Sequence, residues 1–324
     1  MMEKTISGNL KRLRLKNNLS LAEAGKMLNI SAPALLKYEK GKTTPNLERL
    51  TQFSNIYHTT IDDILDTGKT NEIKYKNFKC MPRTSTIIQE KIKSIIRKKI
   101  DNYFELLELS EIKLQNKFGV HIINSLEEGE SLATKLRIFF TIPIDAPIPN
   151  LIYLLESNGM IIMTIPKDEV TKHFVGFYEN INNVPIIIVP EEGNGYDQRF
   201  SIAKYLGELL IVANMNKDAI TTRFAESLLI PKQALINEFG KYRTTIDFKE
   251  IEIFSSIYKV SYKNIIKRLS QSEIISQSNA KYTNIYINKN NIKEQTFIEE
   301  AHNYDKMLYK LYAKGHIKDI NKYL

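Results

Sequence analysis

Residues Ser20 to Lys42, SLAEAGKMLNISAPALLKYEKGK, constrain the fold more than any other stretch, because they spell two short helices joined by a tight turn. Ser20 and Glu23 form an S-x-x-E capping box, which satisfies free amides at a helix start. Leu21, Ala24, Leu28 and Ile30 fall at helical spacing, and Asn29 supplies the turn. Ser31 caps a second helix with Pro33 in its first turn, where a missing N–H costs nothing. Gly41 ends that helix as a C′ glycine does. An ordinary helical hairpin is the competing reading. A helix-turn-helix lays its second helix in the major groove of DNA, so the stretch predicts a DNA-binding segment.

The flanks favour that prediction. Asn9 to Asn17 reads as a helix with Leu10 and Leu13 inside and Lys11, Arg12, Arg14 and Lys16 outside. Pro45-Asn46-Leu47 opens a helix through Tyr57, and Thr60 caps a short one, IDDIL, that closes a five-helix unit near Leu65. Over residues 6–65 the chain resembles the XRE/phage-repressor family of helix-turn-helix domains. The motifs S-x-x-E-x-G-x-x-L-N-I-S, Y-E-K-G-K and P-N-L-E-R-L carry the resemblance. It implies an ion pair between Arg14 and Glu39.

The expected DNA-binding residues are Ser20, Leu21, Ser31, Ala32, Pro33, Ala34, Lys37, Lys40 and Lys42. Leu21 stands where the family often has glutamine. Ala32, Pro33 and Ala34 cannot donate to a base edge, although they can touch thymine methyls. The three lysines suit phosphates, which position without specifying. Specificity is therefore expected to lean on DNA shape. For each lysine, a solvated face is the plainer alternative.

A chain of 324 residues suggests two or three domains. No apolar run reaches the length of a membrane span, and no secretory leader is expected. A single cysteine, Cys80, permits no internal disulfide, fits a reducing cytoplasm and is too little thiol for a cysteine-based zinc site. The formal charge of +9 is uneven: residues 1–66 carry +3, residues 67–101 carry +7 and the remainder −1. That concentration of positive charge is the footprint of a nucleic-acid binder.

Asp66 to Arg83 reads as a linker. A long amphipathic helix follows over Thr84–Leu109, with Ile88, Ile92, Ile95, Ile96, Ile100, Tyr103 and Leu107 on one stripe. Its basic face, Lys91, Lys93, Arg97, Lys98 and Lys99, suits a further DNA-backbone contact, a dimerising helix or plain solvation. Beyond a helical stretch at 132–140 and a helix at 149–157 come strand-like runs at 160–166, 173–179 and 184–190, then helices at 199–213 and 219–230. The fold class expected is α+β, predominantly α. Its parts are a helix-turn-helix domain (1–66), a linker (67–83), a long-helix connector (84–131), a helical domain with a small mixed sheet (132–280) and a C-terminal extension (281–324).

Residues 132–240 resemble the ImmA/IrrE family of zinc-dependent peptidases, which share a core with thermolysin-like zincins. APIPN (146–150) leading into LIYLLESNGMII carries the resemblance, with VGFY, PIIIV, RFSIAKYLGELL (199–210) and RFAESLLIP (223–231). VSYKNIIKRLSQSEIIS (260–276) resembles the helix pair that commonly follows. That family carries H-E-x-x-H on a helix, two imidazoles on one zinc and a glutamate activating its water. Here the helix reads Lys204-Tyr205-Leu206-Gly207-Glu208, and the third ligand implied by the resemblance falls at Asp218, or at Ile220 with a shift of two. A lysine ammonium repels a dication, and the five histidines include no i,i+4 pair. The expectation is no catalytic residue, no metal and no cofactor. Lys204, Tyr205, Glu208 and Asp218 then mark either a possible effector pocket or a filled cleft with a Lys204–Glu208 intrahelical pair.

In the extension, KYTNIYINKNN (281–291) looks extended and Phe297–Tyr312 helical, with Ala301, Tyr304, Leu308 and Leu311 on one side. The whole reads as a cytoplasmic transcriptional repressor of a prophage, phage satellite or other mobile element. It is expected to bind double-stranded operator DNA as a homodimer, with no membrane partner. Its peptidase-like domain, catalytically dead, would bind a protein or peptide effector (an antirepressor) that relieves repression. The alternatives are an antitoxin or interaction protein with autoregulatory DNA binding, and an active metallopeptidase with an atypical site. An adjacent toxin gene would favour the first, and stoichiometric zinc the second.

Overall fold

Tight caps and turns punctuate the first 65 residues, and each closes a helix. The structure is a computed structural model that describes residues 2–65, 73–191 and 194–323. It has α1 (Met2–Lys16), α2 (Leu21–Met27), α3 (Ala32–Glu39), α4 (Leu47–Ile56) and α5 (Ile61–Leu65), then strand β1 (Phe78–Cys80) and the long helix α6 (Thr86–Leu109). The chain divides into two compact units. The first takes in the described residues of 1–74, 80–108 and 321–324, and the second takes in 75–79 and 109–320. The class is α+β and mainly helical.

Five helices of the first unit close on one apolar core of Ile6, Leu10, Leu13, Ala24, Leu28, Leu35, Leu50, Phe53, Tyr57 and Ile64. Phe53 stacks on Tyr57 and meets Tyr38 edge-on. On α6 the predicted stripe is buried at Ile92, Ile96, Ile100, Tyr103 and Leu107. Its basic face is partly tied up, since Lys93 pairs with Glu90 at 2.9 Å.

The second unit adds β2 (His121–Ile122), α7 (Leu126–Phe139), α8 (Leu151–Ser157), β3 (Ile161–Ile165), β4 (Phe174–Ile181), β5 (Val184–Pro190) and α9 (Gly195–Leu210). Then follow β6 (Ile211–Val212), α10 (Lys217–Leu229), α11 (Lys232–Phe239), α12 (Phe248–Tyr258), α13 (Tyr262–Gln271), α14 (Gln277–Lys289) and α15 (Asn303–Ala313). Four strands form a mixed sheet in the order β1-β4-β5-β3. β4 and β5 are an antiparallel hairpin whose two-residue turn is Asn182-Asn183, both at positive φ, as a type I′ turn requires. β5 runs parallel to β3, and its near-continuous Val/Ile run is buried along its whole length. Helix α9 packs on β4 and β5, and α10 packs on α7 and α9. β2 and β6 make a separate parallel pair.

Three expectations are corrected here. The stretch 67–83 is more than a linker, because Phe78–Cys80 pairs as the edge strand of the sheet; positions 66–72 lie outside the described residues. Residues 281–291 are not extended: most of them lie in α14, capped by the Ser276 side chain accepting from the Asn279 amide. Tyrosine and isoleucine there suggest a strand, but Ala280 and Ile287, seven residues apart on one helical face, pack against the core of the second unit, and Ser276 caps the helix start. The last helix begins at Asn303 rather than Phe297. The residues before it form a strap, in which Phe297 accepts a hydrogen bond from the Gly195 amide at 3.0 Å.

Candidate nucleic-acid interface

The turn between α2 and α3 is fixed by residues that leave the chain little choice. Ser20 accepts from the Glu23 amide at 3.1 Å, and the Glu23 carboxylate accepts from the Ser20 amide at 2.8 Å. Asn29 has φ 53°, in the left-handed region that asparagine tolerates. Gly25 is buried where a β-carbon would meet the Ile30 carbonyl oxygen at 2.8 Å and the Ala32 nitrogen at 3.3 Å. Ser31 then caps α3 by accepting from Ala34, and Gly41 turns the chain out at φ 65°. Each cap or turn predicted for this stretch is present.

Beneath α3 lies the ion pair implied by the family resemblance. Arg14 donates from Nε to Glu39 Oε1 at 2.6 Å and from Nη2 to Oε2 at 3.0 Å. Its remaining nitrogen reaches the Leu19 carbonyl at 2.7 Å. Both side chains are almost fully buried, so Arg14 faces inward, and its placement on the outer face of α1 is corrected. The pair ties α1 to the end of α3 and fixes the helix's attitude. Burial, helped by the Glu39 charge, pushes the Tyr57 phenol well above its ordinary range. Arg49, from the P-N-L-E-R-L motif, donates to the Leu28 carbonyl at 3.1 Å and closes the end of α2.

Leu35 and Glu39 mark the inner face of α3. Pro33, Lys37 and Lys40 are exposed and spaced i, i+4, i+7, so they form the outward stripe. Ala32 and Ala34 flank it half-buried, Ser31 and Lys42 are exposed at its two ends, and Leu21 is half-buried at the start of α2. Ser20 is exposed but its hydroxyl is engaged in the capping box. The face carries two methyls, a proline and ammonium groups, a surface suited to phosphates and thymine methyls.

Residues 10–64 match the helix-turn-helix family model. Residues 10–64 are therefore a helix-turn-helix DNA-binding domain of the XRE type. No curated protein matches the chain. Among solved structures it is similar to the clp gene regulator ClgR from Corynebacterium glutamicum, at 14% identity over 35% of this chain and 97% of that one, TM-score 0.20. It is also similar to Bacillus thuringiensis PlcR in complex with the peptide PapR7 and DNA, at 12% identity over 98% of this chain and 90% of that one, TM-score 0.19. Overlays that slight define no common architecture.

In the second unit, the sequence-predicted residues Lys204, Tyr205, Glu208 and Asp218 do come together, but with different partners. The expected Lys204–Glu208 pair gives way to a contact across helices, with Lys204 donating to Asp218 at 2.7 Å. That hydrogen bond holds the Asp218 carboxyl below the usual range. Glu208 is nearly buried and pairs with Lys217 at 3.1 Å, while Thr221 donates to it at 3.3 Å. Tyr205 stacks on Tyr178 with centroids 5.0 Å apart and donates to the Val175 carbonyl at 3.1 Å. Burial pushes its phenol up to about 12.

Lys79 completes the group, and sequence reading missed it by assigning it to a linker. Its Nζ lies 5.2 Å from the Tyr178 centroid, 5.1 Å from that of Tyr205 and 4.0 Å from Glu208. Partial burial lowers its pKa, against the opposing pull of Glu208. Tyr75 and Phe78, two aromatics in an otherwise polar stretch, were the available signal. The donor set does not fit zinc. Three ammonium groups surround two carboxylates, and among the described residues no three His, Cys, Asp or Glu side chains are placed to hold a metal.

Proposed function

We propose that the chain is a sequence-specific repressor whose first unit binds operator DNA and whose second unit binds a protein or peptide effector that relieves repression. The observation that carries the DNA half is the outward Pro33-Lys37-Lys40 stripe on a recognition helix locked by Arg14–Glu39. Helix-turn-helix proteins read paired half-sites, which supports a homodimer on a near-palindrome. A regulator whose ligand is operator DNA works in the cytoplasm. Joining an XRE-like head to an ImmA/IrrE-like second unit supports a home in a prophage, phage satellite or other mobile element.

For the second unit we take a peptidase-like domain without catalysis. The support is chemical: where that family needs two imidazoles and a general base, Lys204 is committed to Asp218, Tyr205 to a backbone carbonyl, and Glu208 to lysines. The DNA reading is tested by fluorescence anisotropy on fragments of the protein's own promoter region across a salt series. A repressor binds one fragment at least ~1,000-fold more tightly than random DNA. Equal affinity for all fragments would sink the reading.

A further inference from the structure

The path of the chain through β1 is unusual. It leaves the first unit after Lys74, contributes five residues to the second, Tyr75–Lys79, and rejoins the first at Cys80. Each anchoring side chain of this short excursion has a receptor on β4 or α9. The Tyr75 amide donates to the Glu179 carboxylate at 3.2 Å, and its ring lies 5.8 Å from that of Phe177. Phe78 stacks on Phe174 at 6.2 Å. Lys79 Nζ lies beside the stacked rings of Tyr178 and Tyr205, nearly equidistant from both, and 4.0 Å from Glu208. The pairing strand itself is only three residues long and lies at the sheet edge.

The segment turns before it pairs, with Tyr75 at φ 54° and its carbonyl accepting from the Phe78 amide at 3.3 Å, and only Phe78–Cys80 adds to the sheet edge. Adding a strand to a sheet edge while side chains enter separate receptors is how peptides bind by strand addition. The receptor here has a definite chemistry. Two stacked tyrosines and a nearly buried carboxylate take a cation, and neighbouring aromatics take rings. Removal of β1 would leave β4 as the open edge, its backbone groups ready to pair with another chain.

We infer that the β4 edge beside Tyr178, Tyr205 and Glu208 is a binding groove for an aromatic–basic peptide of a partner protein that turns and then pairs as a short strand, with Tyr75–Lys79 its occupant in cis. The pattern recognised is aromatic-x-x-aromatic-basic. This rests on the reading of the second unit as an effector-binding module. An occupant tethered in cis acts at an effective concentration of about millimolar, so an outside peptide must outcompete it. Partner entry and release of the strand are therefore one exchange.

The test uses the full chain and, as probe, a labelled synthetic peptide of residues 73–81 with its cysteine replaced by serine. Two variants vacate the groove, Phe78→Ser/Lys79→Ser and, in case that one fails to fold, Lys79→Glu. Circular dichroism and a melting curve establish which is folded. A folded variant binds the probe at least ~10-fold more tightly than the unaltered protein. Replacing the lysine that corresponds to Lys79 by glutamate in the probe abolishes that gain. If every folded variant binds the probe no better than the unaltered protein, or binds the glutamate probe equally well, the inference is overturned. Operator binding by the unaltered protein is measured alongside: its loss defeats the repressor reading without touching peptide capture, and failed capture with intact operator binding defeats only the groove.

Discussion

A side chain at position 176 would occupy the volume of the Tyr205 phenol: a β-carbon on Gly176 would fall 2.3 Å from Cε2 and 2.4 Å from the hydroxyl oxygen. Gly176 is thus the floor on which the tyrosine pair, and through it Lys79, is placed. Gly176→Ala is expected to destabilise the protein by about 1–3 kcal/mol, as overpacking does. Tyr205→Ala in the same chain should recover part of that loss, a coupling read by urea denaturation of the four proteins in a double-mutant cycle.

Removing one partner of Arg14–Glu39 strands the other as a buried charge. Glu39→Ala should cost about 3–5 kcal/mol. The double change Arg14→Met/Glu39→Leu, which removes both charges, should be much milder. Chemical denaturation followed by circular dichroism separates the two cases, and equal losses would show that the pair contributes no more than its packing.

Lys37 and Lys40 face outward on α3, and their expected partners are phosphates. Each change to alanine should weaken DNA binding similarly on operator and random sequence, and reduce the slope of log affinity against log salt by about one. A selective loss on operator alone would reassign that lysine to base reading.

Glu156 gives the second unit a pH dependence. Burial raises its carboxyl to about 7, with the Lys306 charge pulling the other way. The unfolded chain ionises near the ordinary value, so between the two values the folded form holds the extra proton. Stability should therefore fall as pH rises through this window, by on the order of 3 kcal/mol from this group at full ionisation. Glu156→Gln should melt higher than the unaltered protein at pH 8 and converge with it near pH 4.5, as followed by calorimetry.

What was legible in the sequence was local. The capping boxes, Asn29 and Gly41 act within a turn of their own position, and each is where the residues placed it. Strands β3 and β5 were legible because burial on both faces leaves continuous apolar runs. Arg14 was misjudged as outward because nothing nearby in sequence compensates its charge; Glu39 does so from 25 residues away. Lys204 was assigned the partner one helical turn along, whereas the start of α10 brings Asp218 to it instead. Lys79 could not be found by spacing at all, since its receptors come from β4 and α9, distant elements joined only by the fold.

The strap before α15 carries its own consequence. Glu299 accepts hydrogen bonds from the Leu151 and Ile152 amides at the head of α8 and pairs with the buried Arg199 of α9 at 2.8 Å. A premature stop anywhere upstream of codon 299 would leave that guanidinium without its counter-charge in the middle of the second unit. Late truncations should therefore behave genetically as loss of the entire unit, while a stop just beyond codon 320 should spare it.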